Sequence, residues 1–493
     1  MIEFLGNKGD DVGKKLLVLL AIIFNGPLSW VEGTATLSPL GPVTEIISAA
    51  SIGVSVLPSV AVSGTTEGFL ILCEDGNRNL DSCFSALGTQ TWGTVIQTPS
   101  STTNLVNGPV LISKTSSGAM ASWLGDTIGF NSGYAYGGFT PDHGVTWPSI
   151  IPLGSVDSLV VFVGVSGSPS GFMFVWYDDG QTATYWAWST YNGSSWVVSS
   201  AGTIPTGIPI GYPAQVAGTS NTGFMATWVG IDNNVYASYT NNEGGTWTTQ
   251  QVPLASNAIY AWVGGNANGF MVVWIDTVDT NIYSSFYNLE SGMWQSSPST
   301  VGFNVSQEDW ITPYVTGSDV GFVVTWINPN FDANASISID NGATWSPTTQ
   351  ITTDGSINPF DFNWGVFVGA SIVDDTVLFT WADLSGNAQS RFYTIEGLPP
   401  SILPPATLTG SKMSNDFPFV RQFVNNLKWT ASPSSDVVSY NVYKNGNFLD
   451  TVPAGGSLVY NDLSNTLRTG YTYGVTSVDT NQQESSAITV FVK

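Results

Sequence analysis

Positive charge is scarce in this chain, which has 12 lysines and arginines against 36 aspartates and glutamates in 493 residues. Between residues 34 and 398 the imbalance is sharper, with 26 acidic residues against Arg78, Lys114 and Arg391. Such a surface repels phosphate groups, which excludes nucleic acids and anionic membranes as partners. Residues 399–493 hold six residues of each sign, so the change in charge also indicates a domain boundary.

Cysteine is almost absent, because Cys73 and Cys83 are the only two in the chain. They flank a turn-forming stretch, and symmetric pairing about Arg78 would place them opposite each other in a hairpin. We expect a cross-strand disulfide if the compartment is oxidising, with two buried thiols as the alternative. The role of the two residues is structural in both cases.

Long apolar runs are also missing. The segment at 16–24 is nine residues long, which is too short to cross a bilayer. It follows Lys14 and Lys15 and precedes small and turn-forming residues up to Gly33, as in an export signal. We therefore expect residues 1–33 to be a signal peptide, with a retained anchor as the alternative. The mature protein is expected to be secreted or held at the cell surface.

A short sequence that begins with glycine and ends with tryptophan recurs about every fifty residues. Clear copies occupy residues 171–176, 223–228, 269–274 and 321–326. Looser copies end at Trp123 and Trp381, and a first copy at 68–73 ends with Cys73. Seven copies indicate one supersecondary unit used seven times, which is typical of a β-propeller or a solenoid.

A distinctive turn follows the third strand of several units, at residues 140–147, 240–247 and 338–345. Less regular copies of the turn end at Trp92, Trp196 and Trp294. An Asp or Asn side chain can bond backbone N–H groups two residues on, glycine allows a positive φ, and tryptophan can pack between units. These turns resemble the Asp-boxes (BNR repeats) of sialidase-type β-propellers. The resemblance implies structural roles, on the face away from the active site, for Asp142, Asn242, Asp340, Trp147, Trp247 and Trp345. His143, the sole histidine, is then a turn residue.

The number of repeats suggests how the ring closes. Seven glycine-to-tryptophan strands accompany six turns, and the last unit stops after Thr394 without a fourth strand. Residues 38–47 resemble the strand that follows the turn at 338–345, so the N-terminal strand is expected to complete the last unit. We therefore predict an all-β fold with a seven-bladed β-propeller at 34–397. Six blades, as is usual in sialidases, are the alternative.

The chain changes character after the propeller. Residues 398–405 are rich in proline and are expected to form a stiff linker. Residues 406–493 contain alternating strand patterns that resemble a fibronectin type III domain, a β-sandwich. The resemblance implies that Trp429 is its core tryptophan and that the Tyr471 hydroxyl bonds the backbone at a corner of the sandwich.

Acidic residues recur in the hairpins between second and third strands, at Asp75, Asp126, Asp178, Asp232, Asp276 and Asp383. They could attract a cation, but Asp and Asn favour turns everywhere, which is the simpler interpretation. The first hairpin alternates oxygen donors in the manner of a calcium loop, at Asp75, Asn77, Asn79 and Asp81. Calcium is the only cofactor that the sequence suggests.

The connections that enter the first strands are expected to line a funnel on the face opposite the Asp-boxes. They carry aromatic rings beside carboxylates, which together suit sugar recognition. The candidate ligand-binding residues are Tyr212, Tyr260, Trp262, Glu308, Asp309, Trp310 and Trp364. Packing between blades is the alternative role of the aromatic residues.

Sialidase activity is excluded, because that family holds its substrate carboxylate with three arginines and the propeller has only Arg78 and Arg391. The leading hypothesis is a secreted or surface-exposed, non-catalytic protein that binds a glycan or an extracellular protein. The alternative is a glycoside hydrolase that uses two funnel carboxylates, chosen from Asp157, Asp309 and Asp361. The sequence does not define the oligomeric state.

Overall fold

The structure is a computed structural model that divides the chain into two compact units, Met1–Leu398 and Pro399–Lys493. It describes residues 35–493 except 48–59, 66, 75–78, 98–104, 107–109, 116–117, 127–132, 155–159, 179–182, 193–194, 220–222, 307–310, 354–356, 358–367, 399–401, 417–420, 435–436, 466–469, 481–483 and 486. The expected signal peptide at 1–33 lies outside these residues. All regular structure in the described part is β-strand, which confirms the all-β class, and it contains no helix able to span a membrane.

The first unit begins with two short strands and continues with antiparallel sheets. The N-terminal strands are β1 (Thr36–Pro39) and β2 (Thr44–Ile47). The first sheet contains β3 (Val60–Thr65), β4 (Gly68–Glu74), β5 (Leu80–Ala86) and β6 (Ile96–Gln97). The second contains β7 (Leu105–Val106), β8 (Leu111–Thr115), β9 (Gly118–Asp126), β10 (Gly133–Thr140) and β11 (Ser149–Gly154), and the third contains β12 (Val160–Ser168), β13 (Gly171–Asp178), β14 (Ala183–Tyr191), β15 (Trp196–Val198) and β16 (Gly202–Thr203).

Four more sheets follow in chain order. The fourth contains β17 (Ile210–Gly218), β18 (Phe224–Gly230), β19 (Val235–Thr240) and β20 (Thr248–Gln251), and the fifth contains β21 (Ala258–Asn266), β22 (Gly269–Asp276), β23 (Ile282–Asn288), β24 (Met293–Trp294) and β25 (Ser299–Gly302). The sixth contains β26 (Tyr314–Ser318), β27 (Gly321–Ile327), β28 (Ala333–Ser338) and β29 (Thr349–Gln350). The seventh contains β30 (Gly369–Val373), β31 (Thr376–Ala382) and β32 (Ala388–Glu396), together with β1 and β2.

The first strand of each sheet contacts the first strand of the next sheet. These contacts run through β3, β8, β12, β17, β21, β26 and β30, and β30 contacts β3 again. The sheets therefore surround a common axis and form a β-propeller. Each glycine-to-tryptophan repeat forms the second strand of its sheet, and its side chains are buried on both faces, as the burial of all eight residues of β13 shows.

The N-terminal strands belong to the sheet that ends the propeller. Thr36 pairs with Glu396 in the β1–β32 ladder, and Thr44 pairs with Ser390 in the β2–β32 ladder. Arg391 adds a side-chain link, because its Nε–H donates to the Gly41 carbonyl over 3.1 Å. The β32 edge is thereby covered, so the ring has no open strand at this position.

Deletion of residues 35–47 would uncover the β32 edge. We expect the melting temperature of the propeller to fall by more than about 5 °C and the protein to self-associate, because an unpaired edge offers free backbone N–H and C=O groups. Differential scanning calorimetry and size-exclusion chromatography measure the two effects. A variant that lacks only residues 1–33 is the control, and an unchanged melting temperature after deletion of 35–47 would contradict the structural role of β1 and β2.

The structure contradicts the predicted disulfide, because Cys73 and Cys83 are both buried thiols that are not joined to each other. Glu74 pairs with Leu80, so the hairpin is centred on residue 77 rather than on Arg78. Cys73 therefore faces Asp81, and Cys83 faces Ile71. Burial raises the pKa of the Cys83 thiol to about 11, although its interaction with the Phe84 backbone opposes this shift.

Neither thiol of the folded protein should react with a disulfide reagent such as DTNB at mildly alkaline pH, because a buried, protonated thiol is a poor nucleophile. After unfolding in urea without reductant, both thiols should react. The absorbance of released thionitrobenzoate measures each stage. Absence of reaction in urea, with the mass of a disulfide-bonded chain, would contradict the free-thiol structure.

The turns at 140–147, 240–247 and 338–345, here called the turn motifs, share one hydrogen-bond pattern. In the first, the Thr146 N–H donates to Asp142 Oδ1 over 2.7 Å and the Thr146 hydroxyl donates to Asp142 Oδ2 over 2.7 Å. The Gly144 N–H donates to the Thr140 hydroxyl over 2.8 Å. The Asp side chain thus closes the turn on the residue four positions later, rather than two positions later as expected. Asn242 and Asp340 accept the equivalent backbone bonds from Thr246 and Thr344.

The tryptophans that end the turn motifs pack against the preceding sheet. Trp345 donates its indole N–H to the Ser284 hydroxyl on β23 over 3.1 Å. Trp247 contacts Trp186 on β14, with ring centroids 6.2 Å apart, and Trp147 lies in a cluster with Leu70 of the first sheet. These contacts agree with a structural role for the motifs. His143 is part of the first turn, where its ring stacks on Phe84 with centroids 4.4 Å apart.

Replacement of Asp142 by alanine should lower the free energy of unfolding by about 1–2 kcal/mol, because the turn loses its hydrogen-bond acceptor. Asp142→Asn is the matched variant, since Asn242 closes the same turn in the fourth sheet. Urea unfolding of the two variants measures the difference. Equal losses in both variants would contradict a role based on hydrogen bonding.

The same turn makes the stability of the fold depend on pH. Partial burial raises the pKa of Asp142, but hydrogen bonds from Thr146 and Thr140 outweigh this effect and the pKa lies below its usual value. The ionised carboxylate therefore stabilises the fold above the unfolded-state pKa of about 3.9, and this contribution is lost as the pH falls through the lower folded-state value. Asp142→Asn should lack this acid-sensitive contribution in urea unfolding measured below about pH 5.

The second unit contains two antiparallel sheets. One has the order β33 (Leu408–Asp416), β34 (Arg421–Trp429) and β37 (Val459–Asn465), and the other has the order β36 (Asn447–Pro453), β35 (Val437–Lys444), β38 (Tyr471–Asp479) and β39 (Ile488–Val492). Trp429 lies in the core cluster with Tyr440 and Val475. The hydrogen bond expected from the Tyr471 hydroxyl would involve the backbone just upstream, of which residues 466–469 lie outside the described part.

Candidate functional site

The candidate site is the channel that the first strands enclose. It has a volume of about 810 Å³, and residues of all seven first strands line it. The lining begins at the level of Trp262 and Tyr314 and extends to the hairpins that join first and second strands. Those hairpins lie on the same face as the turn motifs, because His143 contacts Glu67 over 2.7 Å and Asn266 donates to Asn341 over 2.9 Å. The described channel therefore occupies the half of the ring next to the turn motifs.

Glycine sets the width of this channel. A Cβ atom on Gly167 would lie 2.3 Å from the Lys114 carbonyl oxygen, and one on Gly218 would lie 2.3 Å from the Gly167 carbonyl oxygen. The same contact would recur at 2.2 Å for Gly265 and at 2.4 Å for Gly317. No side chain fits at these distances, so these positions allow neighbouring strands to approach backbone to backbone.

Several hydroxyl groups in the wall are used to join neighbouring sheets. The Gly167 N–H donates to the Ser113 hydroxyl over 2.9 Å, and the Gly218 N–H donates to the Ser166 hydroxyl over 2.7 Å. The Gly64 N–H donates to the Ser371 hydroxyl over 2.6 Å, across the contact between the first and seventh sheets. These serines satisfy backbone donors that the close approach leaves without a strand partner.

Two aromatic rings lie at the inner end of the described channel. Trp262 and Tyr314 occupy equivalent positions on neighbouring strands, and their ring centroids are 5.1 Å apart. Tyr314 is half-buried and lines the channel, and burial raises the pKa of its hydroxyl to about 12. The hydroxyl therefore stays protonated near neutral pH and can donate a hydrogen bond.

Gln215 supplies an amide at the same level of the channel. It is only 6% exposed and lines the cavity, yet its amide has no hydrogen-bond partner among the described residues. An amide that is removed from bulk water without a partner costs free energy. Its position therefore indicates that a ligand or ordered water accepts or donates its hydrogen bonds.

A lysine lies nearer the outer end. Lys114 lines the channel, and burial lowers the pKa of its ammonium although Asp374 and Asp319 oppose this shift. These two aspartates lie in hairpins of the seventh and sixth sheets, across the channel from β8. None of the ion pairs formed within the described part of the chain involves Lys114. Lys114 is the one lysine or arginine among the described channel-lining residues, and His143 lines the outer end.

The structure brings together some of the predicted ligand-binding residues. Trp262 lines the channel, whereas Tyr212 and Tyr260 contact each other with ring centroids 4.7 Å apart and do not line it. Tyr260 has a positive φ of 48°, beside a bulge in the β21–β22 ladder. The remaining predicted residues lie outside the described part, namely Glu308, Asp309, Trp310, Trp364 and the alternative catalytic acids Asp157 and Asp361. Binding through the face opposite the turn motifs stays a prediction.

Three of the six acidic hairpin residues form turns, while Asp126 and Asp178 end strands β9 and β13 and Asp75 lies outside the described residues. Asp232, Asp276 and Asp383 each accept a hydrogen bond from the backbone N–H two residues later, at 3.2, 2.7 and 2.8 Å. This agrees with the simpler interpretation of these residues. Of the predicted calcium ligands, Asp75 and Asn77 lie outside the described residues, while Asp81 is buried within β5. The described residues contain no cluster of His, Cys, Asp or Glu suited to a metal ion, so calcium binding stays a prediction.

The sequence did not reveal Gln215, Tyr314 or Lys114 as channel residues. Gln215 is the polar residue within an apolar run at 213–217, which is a usable indication. Tyr314 occupies the position of Trp262 in the next repeat, but strands with two buried faces do not reveal which residues face the axis. Lys114 stands where five of the other first strands have glycine, and alignment of the hairpins identifies it.

Comparisons with known proteins show similarity in structure alone. No family model and no curated protein matches the chain. Similar solved structures include AofleA from Arthrobotrys oligospora, at 11% identity and a TM-score of 0.40, which covers 65% of this chain and 90% of that one. A six-bladed fungal lectin from Aleuria aurantia, described with a fucose recognition mode, has 12% identity and a TM-score of 0.39. The match covers 70% of this chain and 97% of the lectin. A Hadza microbial sialidase has 12% identity and a TM-score of 0.43. The match covers 67% of this chain and 77% of the sialidase.

Proposed function

We propose that this chain is a non-catalytic recognition protein whose propeller binds a glycan. In this proposal the propeller has seven blades, with Asp-box turns on one face, and the second unit is a fibronectin type III-like stalk or second contact surface. The expected signal peptide would deliver the protein to the cell surface or the medium. The amide of Gln215, which has no hydrogen-bond partner among the described residues and lies at the level of the Trp262 and Tyr314 rings, carries the proposal.

This combination suits a sugar for two reasons. A sugar ring has an apolar face, which packs on an aromatic ring, and hydroxyl groups that both donate and accept hydrogen bonds. Trp262 and Tyr314 provide the aromatic surface, and Gln215 provides one acceptor and two donors. A volume of about 810 Å³ is large enough for the end of an oligosaccharide.

The residues that line the described channel also favour binding without catalysis. The described part of the channel contains no nucleophile beside a general base, since its carboxylates, Glu67 and Asp319, lie in hairpins at the outer end. The hydrolase alternative depends on Asp157, Asp309 and Asp361, for which the described residues provide no geometry. A recognition role, unlike the hydrolase, therefore does not depend on residues that lie outside the described part of the chain.

Gln215→Leu separates binding from stability. Because the described residues provide no partner for the amide, leucine should leave the melting temperature unchanged or raise it, while the affinity for the glycan falls about fivefold to tenfold. A glycan array on the mature protein first identifies the ligand, and isothermal titration calorimetry with that glycan measures the affinity. Gln251→Leu, on the exposed side of β20, is the matched control.

Tyr314→Phe tests the same site from the other side, because it keeps the ring and removes only the hydroxyl. We expect a similar loss of affinity with little change in folding. Full affinity in both Gln215→Leu and Tyr314→Phe would overturn binding in this channel, and an array without any bound glycan would overturn glycan recognition. Release of reducing sugar from a bound glycan would instead support the hydrolase.

A further inference from the structure

We infer that Lys114 makes the channel selective for a hydroxylated ligand that carries one anionic substituent, a carboxylate or a sulfate ester. The inference rests on the proposed function, because it specifies which glycans the channel prefers. Three observations support it: the position of Lys114 in the ring, the absence of a counter-ion in contact with it among the described residues, and the arrangement of the nearby acids.

The residues at the position of Lys114 in the other sheets show that a lysine side chain is not needed there to close the ring. The equivalent residues are Gly64, Gly167, Gly218, Gly265 and Gly317, and Ile372 occupies the place in the seventh sheet. At Gly167, Gly218, Gly265 and Gly317 the preceding strand leaves no space even for a Cβ atom. A long cationic side chain at Lys114 is therefore an exception within a repeated structure, and it reaches into the channel that the glycines define.

The Lys114 ammonium contacts no carboxylate in the part of the chain that the structure describes. Within the described residues no carboxylate forms an ion pair with Lys114 and no hydrogen bond from its ammonium is made. Partial burial of an ammonium without such a partner is unfavourable, as the lowered pKa of Lys114 also indicates. A bound carboxylate or sulfate would remove this cost by a charge-assisted hydrogen bond.

The carboxylates near Lys114 disfavour a bound anion by charge repulsion, but none of those described takes its place in contact with the ammonium. Asp319 and Asp374 lie within electrostatic reach of Lys114 and favour its charged form, although burial outweighs their effect on its pKa. They also raise the cost of bringing a second negative charge into the channel. The more distant carboxylates of the propeller are screened beyond about 10 Å at 0.1 M salt. We therefore expect the ligand to place one anionic group at Lys114 and neutral hydroxyl groups elsewhere.

The test uses methyl glycosides in matched sets that differ only in charge: glucose with glucuronate, galactose with galacturonate, and galactose with its 6-sulfate. Isothermal titration calorimetry gives each affinity at fixed ionic strength. We expect an anionic member to bind about tenfold more tightly than its neutral partner, as one charge-assisted hydrogen bond would allow. The uronates and the sulfate show which anion the lysine prefers.

Two substitutions identify the source of the preference. Lys114→Met keeps the apolar stem and should abolish the preference without weakening the neutral partner. Asp319→Asn should strengthen binding of the anionic member alone, because it removes the competing carboxylate. Lys428→Met, an exposed position in the second unit, is the control and should change neither affinity.

The outcomes separate this inference from the proposed function. Equal affinities for neutral and anionic members, or a preference that persists in Lys114→Met, would overturn the role of Lys114 and leave glycan recognition intact. Absence of binding to every glycoside of the sets and to the glycan array would overturn both. Weaker anion binding in Asp319→Asn would show that Asp319 supports the ligand, which contradicts the electrostatic argument.

Discussion

The close approach of the first strands is the constraint on which the propeller depends. At four positions the carbonyl of one strand lies where a side chain of the next strand would begin, so only glycine permits the contact. The strands can then bond through serine hydroxyls, as Ser113, Ser166 and Ser371 do, because their own backbone groups face a neighbouring sheet rather than a ladder partner. The diameter of the ring, and with it the volume of the channel, follows from this contact.

The sequence was most informative where one physical requirement recurs in every repeat. The glycine-to-tryptophan strands must be buried on both faces, so their continuous apolar run identified the second strand of each sheet. The turn motifs depend on side chains within eight residues, so local sequence was sufficient to find them. Their hydrogen bonds reach four residues rather than two, because the threonine backbone and hydroxyl both bond the same carboxylate.

Register and orientation were harder to predict because they depend on contacts that are distant in sequence. The pairing of Cys73 with Cys83 assumed a hairpin centred on Arg78, and a shift of its centre by one residue displaced every pair by two. Trp262 could be predicted as a site residue, but its partner Tyr314 comes from the next repeat and Gln215 from the preceding one. Their convergence depends on the ring, and no local pattern encodes it.

The link between Arg391 and Gly41 joins residues that are 350 positions apart, and it has a consequence for how the molecule is made. A ribosome that adds about 5–20 residues per second needs tens of seconds to synthesise the intervening chain. During that time the earliest strands lack their partner, and the loss of chain entropy on joining them must be met in one late step. The ring therefore cannot close until β32 has been synthesised, and the first strands remain without their final partner until the two ends of the propeller meet.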